Sequence, residues 1–158
     1  GFVAADEQVI KFLAYNLRSQ IFAKSLPMPM VYGALKRLEL LQTQPQLKDN
    51  LWTIVRALQK GLKEMGLDIG KTESPVTPVY MTGGIPEAAN MVFDLRENYG
   101  VFCSIVVYPV IPKGQILLRI IPTAVHTLDD VKYTIECFAT VQEKLKAGKY
   151  NKEKIAQI

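Results

Sequence analysis

Cysteine is scarce in this 158-residue chain, with Cys103 and Cys137 the only two. Two thiols make no disulfide framework, and their separation matches no zinc-binding spacing, so no metal site is expected. Both stand among apolar neighbours and read as buried, inert thiols of a cytoplasmic protein. Long hydrophobic runs are absent as well. None approaches the roughly 18 residues that span a bilayer, and no charged segment precedes an apolar stretch as in a signal peptide. Repeats and low-complexity segments are missing. The net charge of +4 is mild. Basic residues gather mainly between Lys144 and Lys154, in a pattern that does not point to nucleic acid. What is present is ordinary for a folded protein: 49% hydrophobic and 22% charged residues, in a chain long enough to bury a sizeable core.

One local absence carries more information. No acidic residue lies between Glu97 and Asp129, yet the middle of that stretch holds Arg119 in an apolar strand pattern, with Ile116, Leu117 and Leu118 before it and Ile120 and Ile121 after. A strand of this kind is half or fully buried, and an unpaired buried guanidinium costs several kcal/mol or more. Its partner is then either a carboxylate distant in sequence or a ligand carboxylate held by the bidentate fork of arginine.

Periodicity orders the rest of the chain. Asp6 is placed to cap a helix with Val9, Phe12, Leu13 and Leu17 on one face. Pro27 and Pro29 break the chain before a second helix, about Met30 to Leu41, which Gln44-Pro45 ends. From Leu47, the positions Leu51, Ile54, Val55, Leu58, Leu62 and Met65 line a long amphipathic helix closed by Gly66. Short strands are expected near Val79–Met81, Val101–Tyr108 and Ile116–Ile121, with a helix from Pro86 to Tyr99 between the first two. Thr127 and Asp130 form a capping pair for a last helix with Leu128, Val131, Ile135, Phe138 and Leu145 on one face. The tail after Gly148 is polar and expected to fray. Helices first, then a small, mainly antiparallel sheet covered by helices, is an α+β plan.

The segment Tyr108-Pro-x-x-Pro-Lys113-Gly114, followed by Leu117-Leu118-Arg119 and by His126-Thr127 before a helix, resembles the C-terminal domain of the α-oxoamine synthases. These are pyridoxal-phosphate enzymes of fold type I, in the aminotransferase class I/II superfamily. Three further segments match in order: Gly1–Ala5, which is similar to the strand just after the family's cofactor lysine, Ile21–Pro27 with its Phe-x-x-Ser-Leu-Pro pattern, and Glu73–Val79 with its Ser-Pro-x-x-Pro pattern. The resemblance implies residues 1–45 as the trailing edge of a large cofactor domain and 46–158 as the small substrate-binding domain of a longer, homodimeric enzyme. It implies an amino acid and an acyl-CoA as substrates, and pyridoxal 5'-phosphate as cofactor. Arg119 then matches the residue that holds the amino-acid carboxylate. Ser25, with Lys24 as a charged substitute for a hydroxyl residue, matches the loop that reaches the cofactor phosphate of the neighbouring subunit, although a serine at a helix start before a proline turn is the plainer reading. Tyr108, Lys113 and Gly114 shape a substrate-entrance loop. No catalytic residue is expected within the chain, because the family's cofactor lysine precedes the position of Gly1; alone the chain should be inactive.

Where relatives carry an arginine or threonine near this loop, the chain has Val107 and Val110. Loss of both polar handles resembles the glycine C-acetyltransferase branch; serine palmitoyltransferase or 8-amino-7-oxononanoate synthase is the alternative. A non-catalytic α+β interaction module is a reading of a different class. His126 reads as a residue at a helix start bonded to backbone, and Gly83-Gly84 as a turn.

Overall fold

The computed structural model describes residues 3–151. The chain divides into two compact units between Thr43 and Gln44. The first contains α1 (Glu7–Asn16), α2 (Arg18–Phe22) and α3 (Met28–Thr43). Two expectations shift here. Gly1 and Phe2 lie outside the described residues, and Val3–Ala5 forms no strand. Pro29 does not precede α3 but sits in its first turn, where the N–H that proline lacks has no intrahelical partner to lose. No side chain of α1, α2 or α3 is buried. Phe12, expected on the packing face of the first helix, is exposed, as are the apolar Met30, Leu35, Leu38 and Leu41 of α3.

The second unit is an α+β domain. Its elements are α4 (Pro45–Glu64), β1 (Thr77–Thr82), α5 (Ile85–Tyr99), β2 (Ser104–Val106), β3 (Gln115–Ile120) and α6 (Leu128–Lys146). The strands form an antiparallel sheet in the order β1-β3-β2, so β3 is central. Ile116, Leu118 and Ile120 of β3 point to one face, with Val79 of β1. They share a core with Ile54, Leu58 and Leu62 of α4, Ala88, Met91 and Leu95 of α5, and Val131, Phe138 and Val141 of α6. Gly61 lets α4 approach α6 closely, since a Cβ there would meet Ile135 Cδ1 at 2.1 Å.

Helix ends explain several boundaries. α4 closes on Gly66 at φ 74°, with the Leu67 N–H donating to Leu62 O at 3.1 Å. α5 closes in the same way on Gly100, and the Val101 N–H donates to Leu95 O at 2.8 Å. Val101 is thus committed to the helix end, which is why β2 is shorter than the expected Val101–Tyr108. At the start of α6, Thr127 and Asp130 exchange hydrogen bonds: Thr127 N donates to Asp130 Oδ2 at 2.7 Å, and Asp130 N to Thr127 Oγ1 at 3.2 Å. Leu128, expected on the packed face of α6, is exposed, and Cys137 and Val141 are buried instead.

Just after Gly148, Tyr150 departs most from expectation, and the rest of the tail from residue 152 lies outside the described residues. Tyr150 is 6% exposed, belongs to the core, and donates its hydroxyl to Asp94 of α5. Asp94 also accepts from Lys144 Nζ at 2.7 Å and from Asn98 Nδ2 at 2.6 Å. Lys144 in turn donates to the Tyr99 hydroxyl at 2.9 Å, and the Asn90 amide donates to Tyr150 O at 3.0 Å. Burial pushes the Asp94 carboxyl up, but the hydrogen bonds from Lys144, Tyr150 and Asn98 outweigh it and leave it below its ordinary value. The same contact raises Lys144. The tail through Tyr150 is therefore a clasp between α5 and α6. Among the described residues, no helix is long and apolar enough to cross a membrane.

Two outcomes follow from this arrangement. Asp94→Asn should lower the unfolding free energy at neutral pH by about 1.5–3 kcal/mol, the range for hydrogen bonds to charged groups. The Asp94 share is present above the ordinary carboxyl value of 3.8 and is lost as pH falls through the lower folded value. The Lys144 share is present below 10.5 and is lost as pH rises through its raised folded value. Denaturant titrations should thus show wild type and variant converging well below pH 3.8, and a constant gap on acidification would contradict the assignment. Removing residues 1–43 should leave a monomer that unfolds cooperatively. The longer chain should self-associate, because covering each leucine-sized side chain is worth roughly 1.5–3 kcal/mol. Sedimentation and calorimetry of both would decide. Loss of cooperative unfolding on deletion would place those helices in the core.

Candidate functional site

The face of the sheet opposite the core is open. Strand alternation places Arg119, Leu117 and Gln115 of β3 on it. The register adds Pro78 and Ser104 beside Arg119, Tyr80 and Val106 beside Leu117, and Thr82 beside Gln115. The strand is half-buried, as its sequence implies, but Arg119 takes the exposed side. Exposure therefore removes the need for a partner, protein or ligand, that a buried guanidinium would have. Among the described residues no carboxylate lies within 4.0 Å of Arg119. Its hydrogen bond goes to a neutral group, with Nε donating to Ser104 Oγ at 3.0 Å. The residue is exposed, its terminal nitrogens make no hydrogen bond among the described residues, and its other cross-strand neighbour is Pro78, which offers no side-chain partner. Such a group is suited to a planar anion, a carboxylate above all.

The connection between β2 and β3, residues 107–114, leaves the far end of this hairpin from the Ser104–Arg119 pair. Gly114 takes φ 83°, a backbone conformation that favours glycine, and its carbonyl accepts from the Gly83 N–H at 3.1 Å. Lys113 Nζ lies 5.0 Å from the centre of the Tyr108 ring, a cation–π contact that holds both side chains over the loop. Along the strand, Gly114 and Arg119 are separated by roughly 16 Å at about 3.3 Å per residue. Val107 packs against the core, so its apolar character anchors the loop and does not report on a ligand. Val110 is exposed.

Lys24 and Ser25 belong to the first unit. Lys24 has φ 59°, the left-handed conformation common just beyond a helix end, here that of α2. Ser25 is exposed and caps nothing, because the first turn of α3 closes on Pro27, with the Met30 N–H donating to Pro27 O at 2.9 Å. Both side chains are without hydrogen-bond partners among the described residues, an ammonium and a hydroxyl side by side.

Other expected features have local explanations. His126 Nδ1 accepts from the Thr123 N–H at 2.9 Å, which ties it to the turn before α6. Gly83-Gly84 leads into α5, whose Glu87 accepts from the Gly84 N–H at 3.1 Å. Cys103 and Cys137 are buried, and burial pushes the Cys103 thiol up to about 11. Among the described residues, no group of three His, Cys, Asp or Glu is placed to hold a metal ion. A cleft of about 460 Å³ between α4, α6 and the end of β3 is lined by Leu58, Phe102, Ile120 and His126. None of the site residues read from sequence opens into it. Ser104 is the participant that sequence reasoning missed; its signal lay in the pairing register, which no local motif reveals.

No family model matches the chain. Over 95% of its length it is 60% identical to a cysteate-C-fatty acyltransferase from Capnocytophaga ochracea, of which it covers 36%. Over 86% of its length it is 35% identical to a serine palmitoyltransferase from Sphingobacterium spiritivorum, of which it covers 34%. Among solved structures, a serine palmitoyltransferase from S. paucimobilis with PLP and myriocin bound is 30% identical, with a TM-score of 0.71 over 87% of this chain and 35% of that one. The chain thus spans about a third of the length of the curated relatives it matches.

Proposed function

We propose that this chain, which belongs to the pyridoxal-phosphate-dependent α-oxoamine synthases of the aminotransferase class I/II superfamily, is the substrate-binding part of a fatty-acyl transferase acting on an amino acid such as cysteate. The observation that carries the reading is Arg119: a guanidinium on the central strand of an open sheet face, near the end of that strand, bonded to a neutral hydroxyl and without an acidic partner among the described residues. Such a group binds the carboxylate of an amino acid by two parallel, charge-assisted hydrogen bonds. The fatty-acyl and palmitoyl names of the relatives favour a long apolar acyl group over the acetyl group of the glycine C-acetyltransferase branch. This moves the assignment to the palmitoyltransferase-type alternative. The exposed Val110 is compatible with either uncharged acyl group.

In this reading residues 1–45 edge the large cofactor domain and residues 46–158 form the small substrate-binding domain. The chemistry of the Lys24–Ser25 pair fits a phosphate ester, since it offers a cation and a hydroxyl with no partner among the described residues. These two residues hold the phosphate of pyridoxal 5'-phosphate in the neighbouring subunit of a homodimer. When bound, that cofactor supplies the electron sink for the bond changes at Cα, and the protein supplies orientation and electrostatics. The lysine that carries it lies in a preceding segment of the longer protein, so the chain alone is inactive. Arg119 binds the carboxylate and thereby sets which Cα substituent faces the cofactor. Tyr108, Lys113 and Gly114 shape the opening through which the acyl-CoA approaches. The overall reaction joins the acyl carbon to Cα, with release of carbon dioxide and free CoA.

Two measurements on the full-length protein test this reading. Arg119→Ala should raise the amino-acid KM roughly ten- to hundredfold, for a lost contact worth about 1.5–3 kcal/mol. Cofactor binding should be nearly intact. An unchanged KM with a large loss of thermal stability would make Arg119 a structural residue instead. In a donor series, palmitoyl-CoA should give a higher kcat/KM than acetyl-CoA, and both should exceed succinyl-CoA, whose buried carboxylate would be left unpaired. Acetyl-CoA as the best donor would return the assignment to the glycine C-acetyltransferase branch, and succinyl-CoA as an equal would contradict both.

A further inference from the structure

We infer that Ser104 is a positioning residue for amino-acid binding: it holds the Nε edge of Arg119 so that the two terminal nitrogens meet the substrate carboxylate end-on. This deepens the reading of Arg119 given above and rests on it. A guanidinium has two edges able to bind a carboxylate bidentately, one through Nε and one through the terminal pair. Ser104 Oγ accepts from Nε at 3.0 Å and occupies the first edge. The terminal pair remains for the ligand.

The placement is built into the fold. Ser104 stands directly opposite Arg119 in the β2–β3 register. Its chain neighbours anchor it, Cys103 being buried and Ile105 packing on the core. Arg119 is likewise held between the buried Leu118 and Ile120. On its other side stands Pro78, which offers no side-chain hydrogen-bond acceptor. Ser104 is therefore the polar cross-strand neighbour that restrains a long side chain on an open face, where it would otherwise sample many rotamers. The chemistry of the partner matters too. An aspartate at this position would fix the guanidinium equally well and cancel its charge. A hydroxyl fixes it and leaves the charge for the ligand.

The test uses the full-length holoenzyme with Ser104→Ala, Ser104→Thr, Arg119→Ala and the Ser104→Ala/Arg119→Ala pair. The amino acid is the better substrate of L-cysteate and L-serine. Its KM is measured at saturating palmitoyl-CoA, and its Kd by titration of cofactor absorbance without the donor. Ser104→Ala should raise both by about three- to tenfold, the loss expected for one hydrogen bond of ordinary strength. The palmitoyl-CoA KM and the Tm should stay unchanged. Ser104→Thr, which keeps the acceptor oxygen, should stay close to wild type. In the Arg119→Ala background, Ser104→Ala should add nothing further, because its effect runs through the guanidinium. Wild-type affinity in Ser104→Ala alongside weak binding in Arg119→Ala would overturn the inference and leave the reading of Arg119 intact. An equal Ser104→Ala effect with and without Arg119 would also overturn it. Unaltered affinity in Arg119→Ala would remove the reading itself, and the inference with it.

Discussion

The second unit is organised by the burial of one face of β3. Ile116 and Leu118 are fully enclosed and Ile120 nearly so, all against three helices, and the alternation of the strand then fixes what the other face shows. Each of these side chains contributes roughly 1.5–3 kcal/mol by leaving water. A one-residue slip would expose all three and drive Arg119 into the core, at a cost of several kcal/mol for a buried unpaired charge. Both terms have the same sign, so the register is strongly specified. The pairing of Ser104 with Arg119 follows from that register. The candidate site is thus a by-product of core packing, held by the central strand of the sheet.

The two charged centres of this unit illustrate opposite uses of an ion. Asp94 is buried and takes hydrogen bonds from Lys144, Tyr150 and Asn98, so its charge is spent on joining α5 to α6. Arg119 is exposed, paired to a neutral oxygen, and keeps its charge unanswered by any acid among the described residues. A charge satisfied by its own protein stabilises the fold; one left unsatisfied at a fixed place is available to a ligand.

Much of this was legible in the sequence, for identifiable reasons. The long helices, the three strands and the caps at Gly66 and Thr127–Asp130 are local features, and local periodicity with cap chemistry is enough to read them. The resemblance to the α-oxoamine synthases picked out Arg119 from one residue type within one strand pattern. What was hidden is non-local. The clasp made by Tyr150 joins residues distant in sequence, and a polar tail gave no hint that one aromatic ring would be drawn back into the core. The orientation of Arg119 depended on which of two alternating sets of β3 faces the helices, and an apolar run including Leu117 left both open. Ser104 carries no motif and becomes visible only through the strand register. The sequence neighbours of Val107 do not reveal its contacts, and it packs against the core. Two valines are also thin ground for choosing the acyl branch, since Val107 has a packing role of its own.

The central claim is that Arg119 is kept free of protein acids so that it can receive the carboxylate of an amino acid. A crystal structure of the full-length protein with cofactor and L-cysteate bound, in the absence of an acyl donor, tests it most directly. The account predicts both carboxylate oxygens within hydrogen-bonding distance of the Arg119 terminal nitrogens, with the Nε–Ser104 contact retained. A carboxylate bound elsewhere, with Arg119 paired to an aspartate or glutamate of the preceding part of the protein, would contradict it.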